Sequence, residues 1–255
     1  MHISQLFEEE NPQLTELIHV LRTQCSEFLT NPTPLYRGAN DFFSDGRLFA
    51  VPTVRKDRRS LSGKHIGTNM FNMMFEETFH VPRLRNECVF VSNSGVQASK
   101  YGPVWCIFPK NGSKITANPS YKDSITVVGS AFHEFIEMSR RAIMKNESDK
   151  QLVMKWIKES DKPIVESDWF DELLNNVTPE LSDVLAHSYD EVKERTMNGY
   201  QVFDISHTPT YSTQVEYMIY DCDSFIAVDI DAIRKLDGFP DDDNRAWAHL
   251  IETLK

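Results

Sequence analysis

Residues 213–220 read Thr-Gln-Val-Glu-Tyr-Met-Ile-Tyr, and this stretch determines how the rest of the 255-residue chain is interpreted. It places Glu216 at the head of an apolar run of strand-forming residues, which resumes after a polar break as Phe-Ile-Ala-Val at 225–228. A carboxylate that enters a buried strand is costly unless partners compensate its charge. We therefore expect Glu216 to have a partner or a function. The alternative is that it lies at the exposed start, or on the wet face, of a strand.

The composition is that of an ordinary globular protein, with 40% hydrophobic and 25% charged residues. The four cysteines lie far apart without a CxxC pair, which predicts reduced, buried thiols and neither a zinc site nor a disulfide framework. The N-terminus lacks the pattern of a secretory signal, and no window approaches the roughly 18 apolar residues of a membrane span. We expect a soluble cytoplasmic protein without a membrane partner.

The formal net charge of −11 opposes broad, sequence-independent binding to phosphate backbones. The charge is also uneven along the chain. Aspartates accumulate between Asp221 and Asp243, whereas residues 55–59, Arg-Lys-Asp-Arg-Arg, form the densest basic run. A locally basic site therefore remains compatible with the acidic total.

Hydrophobic periodicity predicts an α+β protein. Helices are expected at 13–29, 69–79, across much of 131–196, and at 243–254, with a helical turn at 96–101; strands are expected at 35–39, 49–54, 88–91, 104–108, 201–203 and within 213–228. We predict a single domain of residues 1–255 that begins with a helix. Its core spans about 33–126 and 200–230, a helical insertion about 128–199, and an acidic tail with a helix 232–255.

Three polar pieces then stand in a fixed order along the predicted strands. They are Tyr36-Arg37-Gly38 on an early strand, Ser92-Asn93-Ser94 after a middle strand, and Gln214-Val215-Glu216 opening a late strand. This order resembles the arginine, serine, glutamate signature of the ADP-ribosyltransferase superfamily, with Asn93 where the usual motif is Ser-Thr-Ser. The segment 54–122 also resembles uncharacterised proteins of tailed bacteriophages.

The resemblance implies an ADP-ribosyltransferase-like split β-sandwich that uses NAD as a co-substrate without a metal. Nicotinamide leaves a positively charged ring as a neutral molecule, so its departure needs no general acid, unlike the leaving group of a glycosidase. One carboxylate can stabilise the oxocarbenium-like ribose of the transition state. The resemblance assigns this role to Glu216, with Ser92 holding the glutamate side chain through its hydroxyl.

The cofactor-binding residues implied by the resemblance are Tyr36, Arg37, Gly38, Ser94, Tyr101 and Arg58. Arg37 would bind the NAD phosphates with its planar guanidinium, and Gly38 would offer backbone groups to the carboxamide of nicotinamide. Tyr36 and Tyr101 would stack on nicotinamide, with core packing as the alternative for each. Arg58 would reach the NAD phosphates or a nucleic-acid acceptor, with a solvated loop as the alternative.

Gln214 would face the acceptor, since it lies two residues before Glu216. Relatives with glutamate at this position tend to modify arginine, because a second carboxylate can help to deprotonate a guanidinium. Glutamine cannot take up a proton at neutral pH, so it suits an amide or a nucleobase amine better. Non-arginine protein side chains and nucleobases are therefore the expected acceptors, with arginine third.

The resulting expectation is an NAD-dependent mono-ADP-ribosyltransferase, a glycosyltransferase that is phage-encoded or a toxin aimed at a bacterial cell. Its partners would be a protein or nucleic-acid acceptor, and an antitoxin or a host protein. One alternative is an NAD glycohydrolase, with water as the acceptor. Another is a catalytically silent protein of the same fold that binds a host protein through its helical insertion.

Overall fold

The computed structural model describes residues 11–40, 47–56, 65–121, 124–162, 168–236, 239–240 and 243–254. Over these residues it has nine α-helices and one eight-stranded sheet whose pairings are all antiparallel, which confirms the predicted α+β class. The chain divides into two compact units. One comprises Met1–Val54, Cys88–Lys122 and Gln201–Lys255, and the other Arg55–Glu87 and Asp123–Tyr200. Among the described residues, no helix is both long and apolar enough to cross a membrane.

The first unit contains the whole sheet. Its strands are β1 (Tyr36–Gly38), β2 (Phe49–Ala50), β3 (Val89–Ser92), β4 (Val104–Pro109), β5 (Lys114–Ala117), β6 (Gln201–Asp204), β7 (Glu216–Tyr220) and β8 (Phe225–Asp229). They are ordered β2-β8-β4-β1-β3-β7-β5-β6. Strands distant in sequence are therefore neighbours, and the middle of the sheet is formed by β1, β3 and β7.

Backbone pairing is unequal on the two sides of β1. The strand pairs with β4 at three consecutive positions, from Tyr36 opposite Cys106 to Gly38 opposite Val104. With β3 it pairs only at Tyr36 opposite Ser92. The sheet thus consists of two four-stranded halves that are joined, among the described strands, at one residue pair.

Helix α1 (Pro12–Gln24) begins after Asn11, whose side chain accepts hydrogen bonds from the Gln13 and Leu14 amides at the N-cap. It buries Leu14, Leu17, Ile18 and Leu21, the apolar stripe with helical spacing. The helix was expected to reach residue 29. It ends at Gln24, and a short 3₁₀ turn, Phe28–Thr30, follows.

The core of this unit is aromatic where β4 meets the helices. Phe108 of β4 lies 4.9 Å from the Trp247 ring of helix α9 (Asp243–Leu254) and 5.9 Å from the Phe28 ring. Two further helices belong to this unit, and both are short: α3 (Gly95–Ala98) and α8 (Ile230–Arg234). Cys25 and Cys106 are buried here as free thiols, as the sequence predicted.

The second unit is helical. It contains α2 (Ile66–Phe79), α4 (Ser124–Ile143), α5 (Glu147–Glu159), α6 (Trp169–Asn176) and α7 (Pro179–Met197). The Met and Phe stripe of α2 forms core, as predicted; Phe71 and Phe75 lie 5.7 and 5.8 Å from the Tyr200 ring. The predicted core range 33–126 includes α2, whereas this helix groups with the helical unit.

The polar break within 213–228 is a turn between β7 and β8, in which Asp221 adopts a φ of 55°. One strand differs from the sequence-based expectation. Strand β5 was not predicted, because Lys114 and Thr116 make its four residues look polar. Tertiary pairing with β7 and β6 stabilises β5, and such pairing is not visible locally.

Candidate functional site

Each of the three polar pieces contributes at least one residue to one of three neighbouring strands. Tyr36 of β1 is opposite Ser92 of β3, and Ser92 is opposite Glu216 of β7. Residues opposite one another in a sheet share a face and have Cβ atoms about 5 Å apart. Arg37 and Gly38 follow Tyr36 along β1. The fold therefore brings together residues separated by most of the length of the chain.

Glu216 is the first residue of β7 and is half-buried, between the fully buried Val215 and Tyr217. It therefore lies at the start of the strand, but this start is not fully exposed. The backbone ladder with β3 fixes the position of its Cα atom opposite Ser92. Glu216 is thus a carboxylate held at the polar end of an otherwise apolar strand.

The Ser92 side chain is buried and its hydroxyl joins two backbone groups. It donates to the Val215 carbonyl at 3.3 Å and accepts from the Ser94 amide at 3.1 Å. These contacts hold the residue that precedes Glu216. The predicted bond from Ser92 to the Glu216 carboxylate stays a prediction.

Asn93 lies beside the candidate site, and the sequence interpretation missed its role because it was treated as a departure from the usual motif. Its side-chain nitrogen donates to the carbonyls of Tyr211 at 3.2 Å and Thr213 at 2.8 Å. Its side-chain oxygen accepts from the Val215 amide at 2.9 Å. The sequence carried one chemical signal for this role. The Asn93 carboxamide has two N–H donors and an acceptor oxygen, whereas the hydroxyl of a threonine at this position would have a single donor hydrogen.

Gln214 lies just before β7 and not within it, although the sequence had placed it on the same strand as Glu216. It is half-buried, while the neighbouring Thr213 is exposed. The segment 208–215 contains no helix or strand. The orientation of Gln214 is therefore not set by strand alternation.

Arg37 is half-buried, and its Nη1 donates to the Phe90 carbonyl of β3 at 2.9 Å. This bond ties the guanidinium to the strand that carries Ser92. A guanidinium carries five N–H donors in a planar fork, which is the geometry that a bidentate phosphate contact uses. The placement is compatible with the role that the resemblance implies.

Gly38 has a structural reason for being glycine. A Cβ atom at this position would lie 1.9 Å from the Ala98 carbonyl oxygen and 3.0 Å from the Tyr101 Cβ. Helix α3 and the 3₁₀ turn Ser99–Tyr101 therefore pack directly on the backbone of β1. This close approach is to the chain itself, and the contact of Gly38 with nicotinamide stays a prediction.

Ser94 is the N-cap of α3, since its hydroxyl accepts from the Gln97 amide at 3.3 Å. A contact of Ser94 with NAD stays a prediction.

Tyr36 is buried in the hydrophobic core, which is the alternative stated for it above, and we do not assign it a stacking role. Tyr101 is 52% exposed, so core packing is wrong for this side chain. Arg58 lies outside the described residues.

Two tyrosines hold the segment that leads to Glu216. The Tyr217 hydroxyl donates to the Pro209 carbonyl at 3.0 Å, and its ring lies 6.0 Å from the Tyr211 ring. Burial is the main cause that raises the pKa of Tyr217; the charge interaction with Tyr211 adds to the rise, and a hydrogen bond with the Tyr211 backbone opposes it. The hydroxyl therefore stays protonated and remains a donor at neutral pH.

A shallow depression of about 230 Å³ lies between α1 and α9, lined by Arg22, Ser26, Leu29, Thr30, Ile251 and Leu254. It shares no residue with the site at β1, β3 and β7. The Arg22 guanidinium in this depression is hydrogen-bonded to the Thr253 and Leu254 carbonyls, so the candidate site is assigned from strand register and hydrogen bonding instead.

Comparison of the chain with protein-family models, with curated proteins and with solved structures gave no match.

Proposed function

We propose that this protein is an NAD-dependent mono-ADP-ribosyltransferase of the arginine-serine-glutamate type. The observation that carries the proposal is that Arg37, Ser92 and Glu216 lie in three neighbouring strands. The weak connection between β1 and β3 also supports the finer assignment of the fold as a split β-sandwich, because it divides the sheet into halves. Neither feature was available from the order of motifs along the chain.

The chemistry follows from the charge of each group. The bond between the nicotinamide nitrogen and C1′ of the ribose breaks, and its electron pair leaves with nicotinamide as a neutral ring. The Glu216 carboxylate stabilises the positive charge that develops on the ribose, while Arg37 binds the diphosphate. A nucleophile on the acceptor then bonds to C1′ and loses its proton to solvent.

The acceptor is a protein side chain other than arginine, or a nucleobase. Gln214 is the residue that supports this choice, because its amide can donate and accept hydrogen bonds but cannot deprotonate a guanidinium. The acidic total charge favours an acceptor that is recognised locally and not along a long nucleic-acid backbone. We further propose that the protein acts in the cytoplasm of a bacterial cell as a phage or toxin effector.

The test is to incubate the purified protein with NAD labelled in the adenylate group, together with a bacterial extract. Label in acid-insoluble protein or RNA is the expected result. Free ADP-ribose alone would indicate an NAD glycohydrolase, and intact NAD would indicate a binding protein without catalytic activity. Mass spectrometry of the labelled material identifies the acceptor; ADP-ribose mainly on arginine would contradict the role given to Gln214.

A further inference from the structure

The Asn93 side chain joins three backbone groups of the segment that precedes Glu216. Its two amide hydrogens bond the Tyr211 and Thr213 carbonyls, and its oxygen accepts from the Val215 amide. This uses both donor hydrogens and the acceptor of one carboxamide. No other natural side chain of this length offers the same set of groups.

Two of these contacts lie on either side of Gln214. The carbonyl of Thr213 and the amide of Val215 belong to the residues immediately before and after it. Because the segment 208–215 has no strand ladder, side chains supply hydrogen bonds to several of its backbone groups. The Asn93 carboxamide therefore fixes the backbone from which Gln214 projects.

Glu216 is held differently. It is paired with Ser92 in the ladder of β3 and β7. The preceding carbonyl, that of Val215, accepts from the Ser92 hydroxyl and from the Asn93 backbone amide at 3.3 Å. None of these bonds involves the Asn93 side chain, so its removal leaves Glu216 anchored while Gln214 is released.

We propose that Asn93 is a positioning residue that fixes Gln214 for the acceptor and so sets how the ADP-ribosyl group divides between transfer and hydrolysis. This inference rests on the proposed function. In both outcomes the bond from C1′ to nicotinamide breaks in the same way. The new bond at C1′ forms either to the acceptor nucleophile or to a water oxygen, and in each case the nucleophile loses one proton to solvent.

The experiment compares Asn93→Ala and Asn93→Asp with the wild-type protein. Asn93→Asp keeps an oxygen for the Val215 amide but replaces the donor to both carbonyls with a second acceptor. Adenylate-labelled NAD and a bacterial extract serve as substrates, and label in acid-insoluble material is measured against free ADP-ribose. We expect the ratio of transfer to hydrolysis to fall about tenfold or more in both variants, because a reacting group that is misplaced loses rate steeply. The rate of NAD cleavage should stay within about threefold of the wild-type rate.

The matched control is Asn111→Ala. The Asn111 side chain also joins backbone groups, since it donates to the Thr23 carbonyl at 3.2 Å and accepts from the Glu27 amide at 3.0 Å, but it lies in a turn away from the site. The ratio should not change in this control. An unchanged ratio in Asn93→Ala, or an equal fall in Asn111→Ala, would overturn the inference. A parallel loss of cleavage and transfer would do so too.

A second measurement separates this inference from the proposed function. Hydrogen exchange of the Val215 amide should be about tenfold faster or more in Asn93→Ala, since its acceptor is removed. Unchanged exchange would refute the positioning contact whatever the activity of the variant.

If the wild-type protein cleaves no NAD, the proposed function fails, and the role of Asn93 in transfer fails with it. Cleavage without any transfer by the wild-type protein would also overturn the role of Asn93 in transfer.

Discussion

The strand pairs β4–β8 and β3–β7 are both antiparallel, but they differ in how they end. The first pairs over five positions, from Trp105 opposite Asp229 to Pro109 opposite Phe225, and most of its residues are buried. The second pairs over four and ends at Ser92 opposite Glu216. Beyond this end, the side chains of Ser92 and Asn93 join one further backbone bond, from the Asn93 amide to the Val215 carbonyl. The comparison shows that β4–β8 is held by backbone pairing along its length, whereas the end of β3–β7 also depends on polar side chains.

The largest expected effect is on activity at the polar end. Glu216→Gln should lower NAD turnover by about a hundredfold or more, since one preorganised electrostatic contact contributes about 3 kcal/mol. Thermal unfolding should stay close to that of the wild-type protein, because the ladder bonds of residue 216 are backbone bonds. Turnover is measured as nicotinamide release.

The control for this variant is Glu194→Gln, which makes the same change at an exposed position on α7. It should leave turnover unchanged. Near-normal turnover in a folded Glu216→Gln protein would show that this carboxylate is not catalytic.

A second variant tests whether β1 depends on the short helix beside it. Gly38→Ala should lower the free energy of unfolding by about 3 kcal/mol, because the new methyl group overlaps the Ala98 carbonyl. Gly95→Ala is the matched control, since a Cβ there meets nothing within 4 Å. Denaturant unfolding of both variants gives the difference. Equal stability of the two would mean that α3 does not pack on β1 in this way.

Arg37→Ala probes the binding of the NAD phosphates. We expect NAD affinity to fall by about tenfold to a hundredfold, because a charge-assisted hydrogen bond contributes about 1.5–3 kcal/mol. Calorimetric titration with NAD measures the change, and Arg140→Ala, on an exposed helix position, serves as the control. Unchanged affinity in Arg37→Ala would place the phosphates elsewhere.

The smallest effect concerns the core behind β4. Burial raises the pKa of the Cys25 thiol from 9.0 to about 12, against a smaller lowering by Lys110. Between these pH values the folded chain keeps a proton that the unfolded chain releases, so stability present below pH 9 is lost as the pH rises. The loss is about 1.4 kcal/mol for each pH unit within this window.

The free energy of unfolding is measured from about pH 8 to about pH 11 for the wild-type protein and for Cys25→Ala. The variant has a lower free energy of unfolding at every pH because its side chain is smaller. The test is therefore the slope of the free energy of unfolding with pH, and not its absolute value. The buried tyrosines Tyr217 and Tyr220 contribute equally to both proteins. Identical slopes would show that the Cys25 thiol is not protected from ionisation.

The sequence by itself determined the elements with strong periodicity. The apolar stripe of α1 predicts a helix within a few turns, and the apolar run of β4 predicts a strand within a few residues. The order of Arg37, Ser92 and Glu216 along the chain also indicated which residues belong to the candidate site. These features are local, or depend only on order along the chain.

Only the tertiary structure decided which of these residues meet and what holds them. Ser92 and Glu216 become neighbours through the pairing of β3 with β7, and Gly38 is constrained by the distant Ala98 carbonyl. The bonds of Asn93 to the segment before Glu216 span more than a hundred residues of sequence. Backbone carbonyls and amides are present at every residue, so the sequence carries no sign of which of them a side chain will bind.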